Sequence, residues 1–360
     1  MTDTTSFHRT TALRSRLESG IDQGLFDGAV VVVGSTNSVD THLATGQRNL
    51  AGDPVTPDTK FDVASLTKVV ATTTITLRLV EAGELTLSST VGSHIDELHD
   101  TQRGAIPLRS LLTHTSGLPP YKAFPFGWES KSAVLESLFD SPLSVLSEPN
   151  EWYVYSDLNF VFLAEVLRRV TGESLATLFE TYVTDPLGLT DTAIGPIQSE
   201  NVAATRDRRW ADRVLEGEIH DYLGRAMDGE SGNAGIFSTG RNLATVARML
   251  LSRGVHGEGR FLSSAMVDRL RTDAIGSIDA SQGLGWKLGR GDTPGTAWSP
   301  DAFGHTGFTG TSMWIDPDRD QFVVLLTNHA LTMDPDGSLE PFRQQVHDIA
   351  AATTKRANDS

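Results

Sequence analysis

The run Gly28-Ala29-Val30-Val31-Val32-Val33-Gly34 constrains the fold more than any other segment. Consecutive β-branched residues between glycines read as a short buried strand. Asp40 to Gly46 can pair with it, but the remaining strand patterns lie at the far end of the chain. Leu284 to Leu288 alternates, and Thr311 to Ile315 and Gln321 to Thr327 flank an Asp316-Pro317-Asp318 turn, which reads as a β-hairpin. Strands at both ends with helices between them imply one sheet built from the two termini. The expected division places residues 1–64 and 275–360 in an α/β region. Residues 65–274 are then a mainly helical insertion, with any site at the junction.

The helical signals are periodic and well bounded. Leu13, Leu17, Ile21 and Leu25 recur every four residues, as an amphipathic first helix requires. Val69 to Glu81 ends at Gly83, and Pro107 to His114 carries proline in its first turn. Leu158 to Val170 stops at Thr171-Gly172, and Ser174 to Val183 is broken by Asp185-Pro186. Arg241 to Leu251, Ser263 to Leu270 and a closing helix from Pro341 to Ala351 complete the pattern. No internal repeat, low-complexity tract or flexible linker is visible.

Composition removes several function classes. With no cysteine, a thiol nucleophile, disulfides and cysteine-ligated metals are excluded. The ten histidines are scattered and no His-Glu-x-x-His occurs, so neither metal nor cofactor is expected. The net charge of −16 disfavours nucleic acid and anionic lipid as partners and leaves a small molecule. The 30 bases include only six lysines, a balance that suits either a salt-adapted surface or an Arg-rich proteome. Met1 to Asp22 has no apolar core of signal-peptide type, and no run approaches the ~20 apolar residues of a membrane span. A soluble, cytoplasmic protein is expected.

Three short motifs carry chemistry. In Ser65-Leu66-Thr67-Lys68, serine and lysine share one helix face, placing a nucleophile beside a base. Lys68 is the only lysine with a serine three residues before it. A lysine acts as base only when burial or nearby positive charge lowers its pKa, and Phe61, Val63, Val69 and Val70 make burial the expectation. The backbone N–H groups at the helix start can stabilise an oxyanion near Ser65. In Tyr155-Ser156-Asp157, tyrosine is a proton shuttle if cations stabilise its phenolate. In His305-Thr306-Gly307, glycine on an edge strand admits a close backbone approach, and the next N–H, of Phe308, can complete an oxyanion hole. Each motif alone also has a structural explanation: a helix cap, core aromatics, a glycine bulge.

Together, in this order and spacing, they resemble the serine β-lactamase and penicillin-binding-protein superfamily, whose pattern is Ser-x-x-Lys, Tyr-x-Asn and Lys/His-Thr-Gly. The nearest pattern is that of class C β-lactamases, D-alanyl-D-alanine carboxypeptidases, D-amino-acid peptidases and β-lactamase-like carboxylesterases. Phe61 to Lys68, Leu111 to Leu118 and Gly235 to Thr239 add to the likeness, which runs from Gly28 to Asn328. The resemblance implies an α/β (α+β) β-lactamase-like fold with an antiparallel sheet flanked by helices. It implies a cofactor-independent serine hydrolase in which Ser65 is acylated and Lys68 and Tyr155 share acid–base work. The Ser65 and Phe308 N–H groups would form the oxyanion hole, and Asp157, His305, Thr306 and Gly307 would bind substrate.

Two departures bear on substrate. Asp157 replaces the family's asparagine, and an ionised carboxylate cannot donate to a substrate carbonyl. His305 replaces lysine, and a neutral imidazole holds a substrate carboxylate less firmly. Both favour a carboxylesterase for small acyl esters over a β-lactamase or D-Ala-D-Ala carboxypeptidase. Asp157 can also pair with an amine, which suits a D-amino-acid peptidase or amidase, and a non-catalytic binding protein on the same fold is the third alternative. No Gly-x-Ser-x-Gly elbow and no phosphate loop occur. His114 reads as a hydrogen-bonding residue of a turn, and His220-Asp221 opens a glycine-rich loop that is a candidate border of the pocket.

Overall fold

The computed structural model describes residues 4–120, 130–140, 145–208, 212–276, 278, 280–291, 294–332 and 338–352. The valine run forms β1 (Gly28–Gly34), followed by β2 (Val39–Gly46). The C-terminal part supplies β3 (Lys287–Leu288), β4 (Phe303–Gly307), β5 (Thr311–Asp316) and β6 (Gln321–Thr327). These six make one antiparallel sheet in the order β3-β4-β5-β6-β1-β2. The seam between the chain ends is the β1–β6 ladder, in register from Ala29↔Thr327 to Gly34↔Phe322.

Strand alternation explains why four valines in a row suit β1. Val30 and Val32 point to one face and join the large helical core, with Val324 and Leu326 of β6. Val31 and Val33 point to the other face, which is covered by α1 (Thr4–Asp22) through Leu13 and Leu17. The closing helix covers that face too, through Phe342 and Val346. Antiparallel sheets commonly leave one face to water. This one is covered on both, so β1 contains no polar residue.

The insertion contains α2 (Thr74–Glu81), α3 (Leu158–Thr171) and α4 (Gly240–Leu251). Ahead of α2, Lys68–Thr73 winds in a wider π-type turn that packs on α3. Two features differ from the sequence expectation. First, α4 lies on β6, β1 and β5 although it falls inside the expected helical segment, because Leu243, Ala244 and Ala247 continue the sheet's core. Second, the insertion carries small sheets, one of which draws Phe61–Asp62 from the α/β region to pair with Ile236–Ser238. Residues 284–286 lie outside any strand, and of the alternating segment only Lys287–Leu288 pairs into the sheet. The helix Lys131–Asp140 is a further element outside the sequence expectation. Among the described residues no helix is long and apolar enough to cross a membrane, and no group of three acidic or histidine side chains can hold a metal ion.

The closing helix α5 (Glu340–Ala351) is pinned to the sheet by His347. Its Nδ1–H donates to the Pro294 carbonyl at 2.9 Å, so its Nε2 accepts from the Ser312 hydroxyl at 3.0 Å. Burial, chiefly, lowers its pKa from 6.5 to about 4; the Pro294 carbonyl opposes this and Arg343 adds to it. A depressed folded pKa stabilises the fold fully above the unfolded value, and that stability is lost as pH falls through the folded one. The thermal midpoint should therefore fall between pH 6.5 and 4, with about 3 kcal/mol at stake for His347. Melting curves of wild type and His347→Gln check this: the variant should show a shallower pH slope, and equal slopes would place the acid sensitivity elsewhere.

Candidate active site

Ser65 follows Ala64, whose φ of +47° is rare for a residue with a side chain. Such strain costs about 1–3 kcal/mol and persists only where neighbours over-determine it. Asp62 is one such neighbour: its carboxylate accepts from the Ala64 N–H at 2.8 Å and from the His220 N–H at 2.7 Å. Burial pushes the Asp62 carboxyl up, and those two N–H groups oppose it. The β4–β5 hairpin supplies the rest. Thr309 donates to the Asp62 carbonyl at 2.6 Å and Thr311 to the Val63 carbonyl at 3.0 Å.

Gly307 belongs to the same contact. A Cβ there would overlap the Val63 carbonyl oxygen and the Thr311 hydroxyl. This corrects the expectation that Gly307 makes room for substrate: the room is filled by backbone leading to Ser65. Ser65, Tyr155, Asp157, His305, Thr306 and Phe308 do line one cavity, of about 460 Å³.

Lys68 is completely buried. Its ammonium donates to Ser65 Oγ at 3.0 Å and to the Asn233 carbonyl at 2.9 Å, and pairs with Asp157 Oδ1 at 2.6 Å. The Tyr155 ring lies 5.2 Å from Nζ. Burial pushes the lysine pKa down, but the charges of Asp157 and Tyr155 and their hydrogen bonds outweigh it and hold Lys68 above its usual value. The expectation of a lowered lysine is thus corrected: a dry environment also strengthens attraction to a carboxylate inside it. Asp157, expected to face substrate, is bonded first to Lys68, although its side chain remains 23% exposed to the cavity. Asn233 is a partner that sequence reasoning missed. It reaches Lys68 because Gly232, at φ +73°, lies against the Phe160 carbonyl where a Cβ would collide.

Tyr155 and Asp157 are positioned by His114. Its Nδ1 accepts from the Ser156 N–H and from Asn159 Nδ2, each at 3.1 Å, and its ring lies 4.5 Å from that of Tyr155. Burial, chiefly, holds His114 well below the usual histidine range, with Lys68 and Lys287 adding to this. His114 is a hydrogen-bonding residue, as its turn suggested. His220 donates its ring N–H to the Arg206 carbonyl and stacks at 5.4 Å on Phe308, which is 58% exposed at the cavity mouth.

His305 is buried, and its Nδ1–H donates to the Thr306 carbonyl at 2.8 Å. Burial, then Lys287 and Lys68, hold it well below the usual range, so it is neutral. The cation missing at position 305 is present on the neighbouring strand: Lys287 pairs with Gly304 and lines the cavity. The sequence pattern concealed this, because strand pairing is not written in the motif. Among the described residues, neither the Ser65 N–H nor the Phe308 N–H donates to a protein acceptor. A hydroxyl, an ammonium, a tyrosine oxygen and two open N–H groups suit acyl transfer, in which negative charge develops on a carbonyl oxygen.

Comparison with known proteins agrees with this chemistry. The beta-lactamase family model matches residues 13–348. A putative D-alanyl-D-alanine carboxypeptidase of Escherichia coli O157:H7 is 31% identical over 323 residues, 79% of this chain and 74% of the relative. An N-acetylmuramyl-L-alanine amidase of Bacillus subtilis strain 168 is 30% identical over 356 residues, 86% of this chain and 79% of the relative. The structure of EstCE1, a hydrolase with promiscuous acyltransferase activity, superposes with a TM-score of 0.79 at 22% identity, covering 96% of this chain and 99% of that one.

The balance at Lys68 is open to direct measurement. Asp157→Asn removes the carboxylate charge at nearly constant shape, so burial should prevail and Lys68 should lose its proton at a lower pH than in wild type. Nitrogen NMR of the Lys68 Nζ reads this without any substrate. An unchanged titration would show that Asp157 does not hold the charge.

Proposed function

Because the chain belongs to the beta-lactamase family of serine hydrolases, we propose that it cleaves small carboxylic esters through an acyl-enzyme on Ser65. The observation that carries this reading is the Lys68–Asp157 pair at 2.6 Å. It leaves no amide donor at position 157 for a β-lactam or peptide carbonyl, and it keeps Lys68 cationic. A protonated lysine cannot take the Ser65 proton, so that task falls to Tyr155 beside it.

In the first half-reaction Tyr155 acts as a phenolate whose charge the Lys68 ammonium offsets; Ser65 Oγ bonds to the acyl carbon and passes its proton to that oxygen. The carbonyl oxygen takes up negative charge and is met by the Ser65 and Phe308 N–H groups. The carbon–alkoxide bond then breaks and Tyr155 returns the proton to the leaving alcohol. Water repeats the sequence on the acyl-enzyme and releases the acid. Thr306 and His305 line the strand side, and Phe308 with His220 forms an aromatic edge at the entrance. The partner is a small molecule, since the net charge of −16 opposes nucleic acid.

Lys287 supports a second reading. A cation in the cavity suits a substrate with a free carboxylate, such as a peptide ending in D-alanine, which is the class named for the Escherichia coli relative.

Two experiments test these readings. A p-nitrophenyl ester of a short acid should leave a mass adduct on the quenched wild-type protein. Ser65→Ala should form none and should lose turnover; undiminished turnover in the variant would end the proposal. For the second reading, Lys287→Ala should weaken hydrolysis of a carboxylate-bearing peptide or ester by at least ~10-fold while sparing the neutral ester. Equal effects on both substrates would remove carboxylate recognition by Lys287.

A further inference from the structure

Arg343 of α5 is a buried guanidinium outside the cavity lining. Its Nη2 donates to the Gly307 carbonyl at 2.6 Å, and its Nη1 reaches Glu340 at 3.3 Å. Its Nε has no partner among the described residues. Burying a cation with one N–H unsatisfied is costly. The cost is concentrated on a single carbonyl, which also accepts from the Gly310 N–H at 3.1 Å.

That carbonyl belongs to the Gly307–Phe308 peptide. The unit is planar and trans, so its C=O and its N–H point to opposite sides. Holding the oxygen from the α5 side therefore aims the Phe308 N–H away from α5. Phe308 lines the cavity with Ser65, and its N–H has no protein acceptor among the described residues. A charge-assisted hydrogen bond to the oxygen also draws electron density from the nitrogen, making the N–H a stronger donor.

We propose that Arg343 is a positioning residue that clamps and polarises the Gly307–Phe308 peptide, so that the Phe308 N–H is preset to receive the oxyanion of an acyl group on Ser65. This rests on the oxyanion role given to Phe308 above. The guanidinium touches no reacting atom. It links the closing helix to the reaction centre through one peptide plane.

The test uses the full chain with Arg343→Met and Glu340→Gln, the second removing the surface ion pair but keeping the Gly307 bond. Stopped-flow acylation by a p-nitrophenyl ester should fall about 10–100-fold in Arg343→Met, with the apparent ester affinity unchanged. The Phe308 amide resonance, followed by proton–nitrogen NMR without substrate, should move. Glu340→Gln should match wild type in both. A folded Arg343→Met protein with wild-type acylation and a wild-type Phe308 resonance overturns the proposal. If Arg343→Met does not fold, Arg343→Lys decides by the same readouts: slowed acylation with a displaced resonance supports the clamp, and wild-type values overturn it. If wild type itself is not acylated, the ester reading fails, and the Phe308 resonance alone judges Arg343.

Discussion

The Lys68 ammonium is the group on which the rest of the site depends. It lies out of water, so every donor it carries must be met by protein. Ser65, the Asn233 carbonyl and Asp157 meet them. Those partners come from the turn ahead of α2, a glycine-rich loop and the start of α3. Removing one partner from a buried pair costs about 3–5 kcal/mol. The charge therefore ties three distant segments to one geometry. The arrangement that keeps the fold intact is also the one that sets a cation beside the serine hydroxyl.

A second constraint runs through the sheet. The β1–β6 ladder joins the chain ends and fixes where β5 and β4 lie. Thr309 and Thr311 then reach the backbone of Asp62 and Val63, and Gly307 closes against Val63 without a side chain between. From the opposite side α5 holds the hairpin through His347 and Arg343. The strained Ala64 turn is thus supported by a strand, and the strand by a helix. Each layer is held by at least one hydrogen bond to a backbone carbonyl, which leaves little room for drift.

The charge of the cavity is not set by the motif residue at position 305 alone. His305 is neutral because burial and two lysines disfavour its protonation. Lys287 nevertheless puts positive charge in the cavity from the adjacent strand. Neighbouring strands lie about 5 Å apart, so a cation can move from one to the next and still address the same space. A motif that has lost its lysine need not describe a cavity that has lost its charge.

The parts legible in the sequence were those governed by local periodicity. The valine run declared β1, the four-residue spacing declared α1, and Asp316-Pro317-Asp318 marked the β5–β6 turn. Ser65 and Lys68 share a helix face because three residues make nearly one turn. Those regularities depend only on neighbours along the chain, so the sequence by itself determined the main strands and helices and the sheet built from both ends, but neither the helix Lys131–Asp140 nor the pairing of Phe61–Asp62 with Ile236–Ser238. The state of Lys68, the contact that requires glycine at 307, the cation at 287 and the hold of Arg343 on one carbonyl were decided only in three dimensions. Each depends on the distance between groups from remote segments and on how much water lies between them, and neither quantity is set until the sheet and helices have packed.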